Sequence, residues 1–388
     1  MSRTRQGIMT MLASLLVCAV TVEGLLRLFP GMGFRLADPS FFTLESGFSY
    51  HPDLGYTLVP DAVESRSYRD DDCSTRHIEV RTNHFGLRGP DVVADGRPRI
   101  VFIGDSFTEG YHVDEPETFT AVTGDLLSGR VVPINCGIRN YDVIQYMHML
   151  RFAREHLEPT MIIVGVFVGN DVAGYSRSAY YPPMTSVAAM RSLRSSSYLL
   201  SWLARVGRTP SDDTQPARAP EARHPLAGSL HDLRTGPDCG AEVMLDHADN
   251  YIRWRSTPGH GPQYSDPMQA YSRADRTAMV LADMQAELGD TPLLVLIIPE
   301  RMQVKDDEWR WLQEHLPDRF VDRQGTIEKL ARALRRRDVD YTNLLDVVDE
   351  SCYLRFDGHF STVGHRRVGE HVAQLVRTRY ATALSPGF

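Results

Sequence analysis

The sequence predicts an α/β fold, a parallel sheet covered by helices on both faces. Two observations carry that expectation. From residue 99 onward, short apolar runs alternate with segments of helical period, which is the pattern of strands joined by crossover helices. The runs "RIVFIG", "TMIIVGVFVGND" and "PLLVLIIPE" are also continuously hydrophobic, as strands buried on both faces are.

Taken in order, "RIVFIG" is the first strand and ends at Gly104. "TFTAVTGDLLSG" is a helix closed by Gly129. "VVPIN" is the second strand, and its proline suits an edge or irregular position. "YDVIQYMHMLRFAREHLEP" places Val143, Met147, Leu150, Ala153 and Leu157 at helical spacing and stops at Pro159. "TMIIVGVFVGND" is the third strand. A helix around 275–288, the strand "PLLVLIIPE", a helix at 325–337, the segment "DVDYTNLLDVV" and a last amphipathic helix from near Ser361 complete the series. The interval 173–274 breaks the rhythm with a helical stretch and a Pro- and Ala-rich stretch, so it reads as an insertion.

Composition limits the function classes. The chain has 388 residues, 42% hydrophobic and 24% charged, which is globular rather than disordered. Its 42 basic and 50 acidic residues give a net charge of −8 with no basic stripe, which argues against a nucleic-acid partner. At the N-terminus, Arg3 and Arg5 precede the uncharged run Gly7 to Val22, before Glu23 and "GLLRLF". A spanning helix takes about 20 apolar residues, and basic residues ahead of such a run keep the N-terminus cytoplasmic. Residues 1–27 are therefore expected to be an uncleaved signal anchor, a single-pass transmembrane helix with the body outside the cytoplasm. Residues 28–97, irregular and rich in Pro, Gly, Asp and aromatics, read as an extracytoplasmic strap leading to a domain at 98–380. Cys73, Cys136, Cys239 and Cys352 fall in the exported part. Cys73 and Cys239 sit in polar surroundings that favour a bridge, whereas Cys136 and Cys352 flank buried segments as core thiols. No CxxC, zinc spacing, P-loop or cofactor fingerprint occurs.

Chemistry concentrates where the strands end. "GDSFTEG" puts Asp105 and Ser106 at the carboxyl end of the first strand, the ligand-binding edge of open α/β sheets. Asp, Ser and Thr are also ordinary turn and cap residues, so Ser106 alone has a bland reading as a helix cap. Three further stretches bear on the choice. "NCGIRNY" follows the second strand with Gly137 and Asn140. "GND" follows the third with Asn170 and Asp171. "DGHFSTVGH" precedes the last helix with Asp357 and His359. A serine hydroxyl becomes a nucleophile when an imidazole takes its proton, a carboxylate orients that imidazole, and fixed donors hold the oxyanion.

With those four blocks in order, the chain resembles the SGNH, or GDSL-like, hydrolase superfamily. The run-in "TNHFGLRGP" and the phrase "LLVLIIPERMQV" look like its membrane-anchored bacterial members. The resemblance covers roughly 83–175 and 292–376. It implies a three-layer α/β/α flavodoxin-like fold and a serine esterase acting on, or transferring, small acyl groups such as acetyl on oxygen esters, O-acylated glycans among them. Ser106 would be the nucleophile, His359 the base and Asp357 its orienting carboxylate. The backbone N–H groups of Ser106 and Gly137 and the Asn170 amide would form the oxyanion hole. No cofactor or metal is implied. Two departures stand out: one residue, Gly358, separates Asp357 from His359 where the family commonly has two, and Gly169 directly precedes Asn170. Asp105 and Asp171 read as loop supports, and His365 as a cap or packing residue. Asp357, His359 and His365 are also ligand types that suit Zn or Mn. A non-catalytic binding protein on the same fold, or a polysaccharide O-acetyltransferase, is the alternative.

Overall fold

The computed structural model describes residues 7, 11, 14, 17–23, 47–51, 53–69, 74–92, 95–172, 267–315, 322–354 and 357–384. The insertion expected at 173–274 lies outside them up to residue 266, as do Cys73, Cys239 and most of the N-terminal apolar run. Among the described residues no helix is long and apolar enough to cross a membrane. Residues up to Tyr56 fall in one compact unit, which holds strand β1 (Phe48–His51) and the start of β2 (Gly55–Leu58). Described residues from Thr57 onward form the second unit, which carries all the chemistry below.

Five strands make the central sheet of the second unit: β5 (Arg99–Gly104), β6 (Val132–Gly137), β7 (Met161–Phe167), β8 (Leu293–Ile298) and β9 (Tyr341–Asn343). Their order is β6-β5-β7-β8-β9 and every pairing is parallel. The chain leaves β5 toward one side to build β6, then crosses back to build β7. The crevice beyond the carboxyl ends of β5 and β7 is thus the topological switch point where doubly wound sheets hold ligands. Pro133 sits in β6, the edge strand, where its missing N–H is tolerated.

The helices lie in two groups. Helix α2 (Phe119–Leu126) packs on α8 (Thr362–Arg379), while α3 (Val143–His156) and α7 (Gly325–Arg335) pack on α4 (Pro267–Leu288). On the α8 side, alternate sheet residues Ile100, Phe102, Met161, Ile163, Leu294 and Leu296 share one core with Val368, Val372 and Val376. The intervening residues Val101, Ile103, Ile162, Val164, Val295 and Ile297 are buried as well. Both sheet faces are covered, which explains why the strands read as unbroken apolar runs. Cys136 and Cys352 are buried free thiols, as expected of core cysteines.

One region differs from its sequence reading. Within the irregular-looking 28–97, β3 (Val63–Arg69) and β4 (Thr75–Arg81) form an antiparallel ribbon in register from Val63↔Arg81 to Arg69↔Thr75. β3 is mostly polar and shows no apolar alternation, whereas β4 buries Ile78 and Val80 at alternate positions, and Arg66 of β3 adds an ion pair to Glu109.

Candidate active site

Ser106 opens the one-turn helix α1 (Ser106–Glu109) directly after β5. The capping role that competed for Ser106 belongs to Asp105: its Oδ1 accepts from the Phe107 N–H at 2.9 Å. The Ser106 hydroxyl is therefore free, and it lies 2.7 Å from His359 Nε2. The turn sits low on the sheet because Gly104 and Gly165, on adjacent strands, leave room for the Thr108 side chain that any Cβ there would strike.

His359 Nδ1 makes a short hydrogen bond to Asp357 Oδ1, and the same oxygen accepts the His359 backbone N–H at 2.9 Å. An ionised carboxylate only accepts, so Nδ1 carries the hydrogen and Nε2 presents its lone pair to the serine. The single-residue spacing through Gly358 is thus compatible with a complete relay. Burial pushes the His359 imidazolium toward lower pKa, but the Asp357 charge and hydrogen bond outweigh it and leave the pKa raised. Burial likewise pushes the Asp357 carboxyl up, and the facing His359 and His112 overcome this to hold it well below the usual carboxylate range. The relay stays open to the outside: the Asp357 side chain is 39% exposed and that of His359 25%.

Asn170 arrives after β7, and its Nδ2 donates to Asp105 Oδ2 at 3.1 Å. An amide nitrogen has two hydrogens, so Asp105 orients the group and leaves one N–H unspent. Asp171 behind it is fully buried, and its Oδ2 accepts from Tyr146 Oη at 2.9 Å and from the Phe167 N–H at 2.8 Å. Burial raises the pKa of Asp171 far above its ordinary value and also raises that of Asp105. Both aspartates therefore support loops, as the sequence suggests.

Gly137 requires a correction. Its backbone N–H donates to its neighbour Asn135 Oδ1 at 2.9 Å, so this donor is already spent and does not serve an oxyanion. A Cβ on Gly137 would collide with the backbone of Thr108 and Glu109, so the glycine is there for the close approach of α1. The residue of this loop turned into the left-handed region is Asn140, with φ of 67°.

His365 is not part of the site. It is buried, its Nδ1 accepts from the Phe119 N–H at 3.2 Å, and its ring stacks on Phe119. In its place stands a residue the sequence did not single out: His112 Nε2 lies 3.3 Å from Asp357 Oδ2. His112, Asp357 and His359 bring ligand-type atoms within 4.8 Å of one another, the one such group among the described residues. Those atoms are engaged with each other in the relay.

Further residues missed by sequence lie behind α1. Glu109 is completely buried, with Oε1 2.8 Å from an Arg66 Nη and 2.9 Å from an Arg139 Nη, while its Oε2 accepts the Arg139 backbone N–H at 2.7 Å. Glu64 joins through Arg66 at 2.9 Å and Arg139 at 3.5 Å. Arg88 donates to the carbonyls of Glu109, Gly110 and Val113, closing the carboxyl end of α1. Arg301, buried against Glu308, donates to the carbonyls of Leu354 (2.6 Å) and Asp357 (3.2 Å) and so fixes the loop that bears the triad carboxylate. Arg88 and Arg301 lie inside "TNHFGLRGP" and "PERMQV", which is the one signal that pointed at them.

No protein-family model matches the sequence, and no curated protein matches it. Among solved structures it is similar to a protein described as lipolytic and of the G-D-S-L family from Desulfitobacterium hafniense, at 13% identity over 72% of this chain and 99% of that one, TM-score 0.34. It is also similar to a carbohydrate acetylesterase from Sinorhizobium meliloti, at 12% identity over 72% and 99%, TM-score 0.35. A third is the inhibitor-bound aryl esterase of M. smegmatis, at 14% identity over 72% and 99%, TM-score 0.35. In this chain itself, a parallel sheet of flavodoxin-like order carries a Ser–His–Asp relay at its switch point. The fold is a three-layer α/β/α one of flavodoxin-like order. The blocks that resemble SGNH hydrolases lie at the carboxyl edge of this sheet or in its neighbouring loop: "GDSFTEG" after β5, "GND" after β7 and "DGHFSTVGH" before α8.

Proposed function

We propose that the protein is an SGNH-type serine esterase that removes small acyl groups, acetyl above all, from oxygen esters such as O-acylated glycans. The observation that carries this reading is the unbroken chain from Ser106 Oγ through His359 to Asp357. His359 Nε2 takes the Ser106 proton as Oγ attacks the ester carbonyl carbon. The tetrahedral oxyanion is met by the Ser106 backbone N–H and the free hydrogen of the Asn170 amide. His359 then gives its proton to the departing alkoxide, leaving an acyl group on Ser106. Water attacks that acyl-enzyme, His359 accepts the water's proton and returns it to Oγ, and the carboxylic acid leaves.

The test is hydrolysis of p-nitrophenyl acetate by the wild-type chain and by Ser106→Ala. Turnover abolished by the substitution, at unchanged circular dichroism, is the expected result; an inert wild type would overturn the reading. If acetate appears on an added oligosaccharide rather than in water, the same acyl-enzyme belongs to an O-acetyltransferase. The sequence also supports a body outside the cytoplasm, tethered by residues 1–27. An export-dependent reporter fused after Phe388 is expected to be active, and an inactive fusion beside an active cytoplasmic one would refute the tether.

A further inference from the structure

We propose that His112 is a positioning residue for the triad: it holds the second oxygen of Asp357, so that the first stays aligned on His359. The inference rests on the esterase reading above. Asp357 sits on a short loop with its side chain 39% exposed, and Oδ1 is committed to the ring and backbone N–H of His359. With Oδ2 unheld, rotation about the Cβ–Cγ bond would carry Oδ1 off His359. His112 Nε2, 3.3 Å away, is what holds it.

The His112 ring is built to stay put. Its side chain is only 7% exposed. It lies between the rings of Tyr68 and Tyr111, with centroids 4.9 Å and 4.7 Å away, and stands edge-on to His359 at 5.2 Å. Tyr111 is in turn covered by Arg66, whose guanidinium lies 4.7 Å from the ring centroid, so the ion network behind α1 backs this wall. Burial pushes the His112 imidazolium pKa down to about 4, so the ring is neutral at neutral pH. Facing an acceptor-only carboxylate, a neutral ring must carry its hydrogen on Nε2. That leaves Nδ1 bare, and it is buried with no hydrogen-bond partner. A histidine placed only to fill space between two tyrosines has no reason to leave one nitrogen unsatisfied while aiming the other at the catalytic carboxylate.

The experiment compares His112→Phe and His112→Gln, each in the wild-type and Asp357→Asn backgrounds, using steady-state kinetics on p-nitrophenyl acetate. His112→Phe keeps the ring's bulk and removes the donor. Its kcat is expected to fall roughly 10- to 100-fold, as when an orienting partner of a reacting group is removed, with KM within about 2-fold. Glutamine places an amide N–H near the position of Nε2 and is expected to recover most of the loss. Because His112 acts through Asp357, His112→Phe is expected to cost less than about 2-fold more once Asp357 is already Asn. Triad variants keep a measurable residual rate that makes this comparison possible. Full activity in His112→Phe, equal damage by Phe and Gln, or an undiminished loss in the Asp357→Asn background would each overturn the proposal. If His112→Phe does not fold, the glutamine variant and its own cycle with Asp357→Asn decide in the same way. An inert wild type, by contrast, would sink the esterase reading itself.

Discussion

The two ends of the one-turn helix Ser106–Glu109 are built to opposite specifications. At the amino end, Ser106 faces a histidine and a carboxylate that remain partly exposed and must exchange protons. At the carboxyl end, Glu109 is sealed from solvent between two arginines and exchanges nothing. The difference separates two demands on one short element. A nucleophile must be reachable, whereas a turn this short has too few internal hydrogen bonds to fix itself and must be clamped from behind. Arg66 from the ribbon, Arg139 from the loop after β6 and Arg88 supply that clamp.

Substitutions at the two ends are expected to separate activity from stability. The largest effect belongs to the relay: His359→Ala is expected to lower kcat by roughly 10⁴-fold while thermal unfolding stays within a few degrees of wild type. Equal loss of structure would show that the two ends are not separable. Next is Asn170→Ala, expected to lower kcat by about 10² to 10³ as one oxyanion donor is removed; a fully active variant would take Asn170 out of the site. At the other end, Glu109→Gln removes the charge that faces two buried guanidinium groups and is expected to cost about 3 kcal/mol in chemical denaturation. Burial pushes the Glu109 carboxyl up, but Arg66 and Arg139 outweigh it, so its pKa lies below the ordinary 4.5. The stability it contributes is therefore present above pH 4.5 and lost as pH falls below it, and the variant's deficit should shrink in acid. The smallest effect is a shift in pH dependence. Because Asp357 raises the His359 pKa, and only neutral imidazole accepts the serine proton, the acid limb of kcat/KM is expected above 6.5. A limb at or below 6.5 would mean that Asp357 does not act on His359 as the geometry implies.

The same contrast explains what could be read from the sequence. The relay end is local: Asp105 and Ser106 follow a strand, Asp357 and His359 are two residues apart, and each lies in a short recognisable block. The structure brings these residues together on a sheet whose strands β5, β7 and β8 are marked plainly by apolar runs, though the three-residue β9 is not. The clamp is non-local. Glu64 and Arg66 lie about forty residues before Glu109, in β3, a mostly polar strand with no apolar alternation of its own to announce it. Glu109 itself stands inside "GDSFTEG", but a glutamate in a turn reads as exposed until its two arginines are in place. His112 was missed for the same reason, since its partner Asp357 is 245 residues away in the chain. The Gly137 assignment failed on a subtler point: sequence shows that a backbone N–H exists, not that Asn135, two residues earlier, has already taken it.

The central claim is that Ser106 is an activated nucleophile, and the most direct test is intact-protein mass spectrometry after treatment with a fluorophosphonate. One phosphonyl adduct per chain is expected, mapped to Ser106 by peptide sequencing and lost in His359→Ala. No adduct on the folded wild-type protein, or an adduct on another serine, would contradict the account.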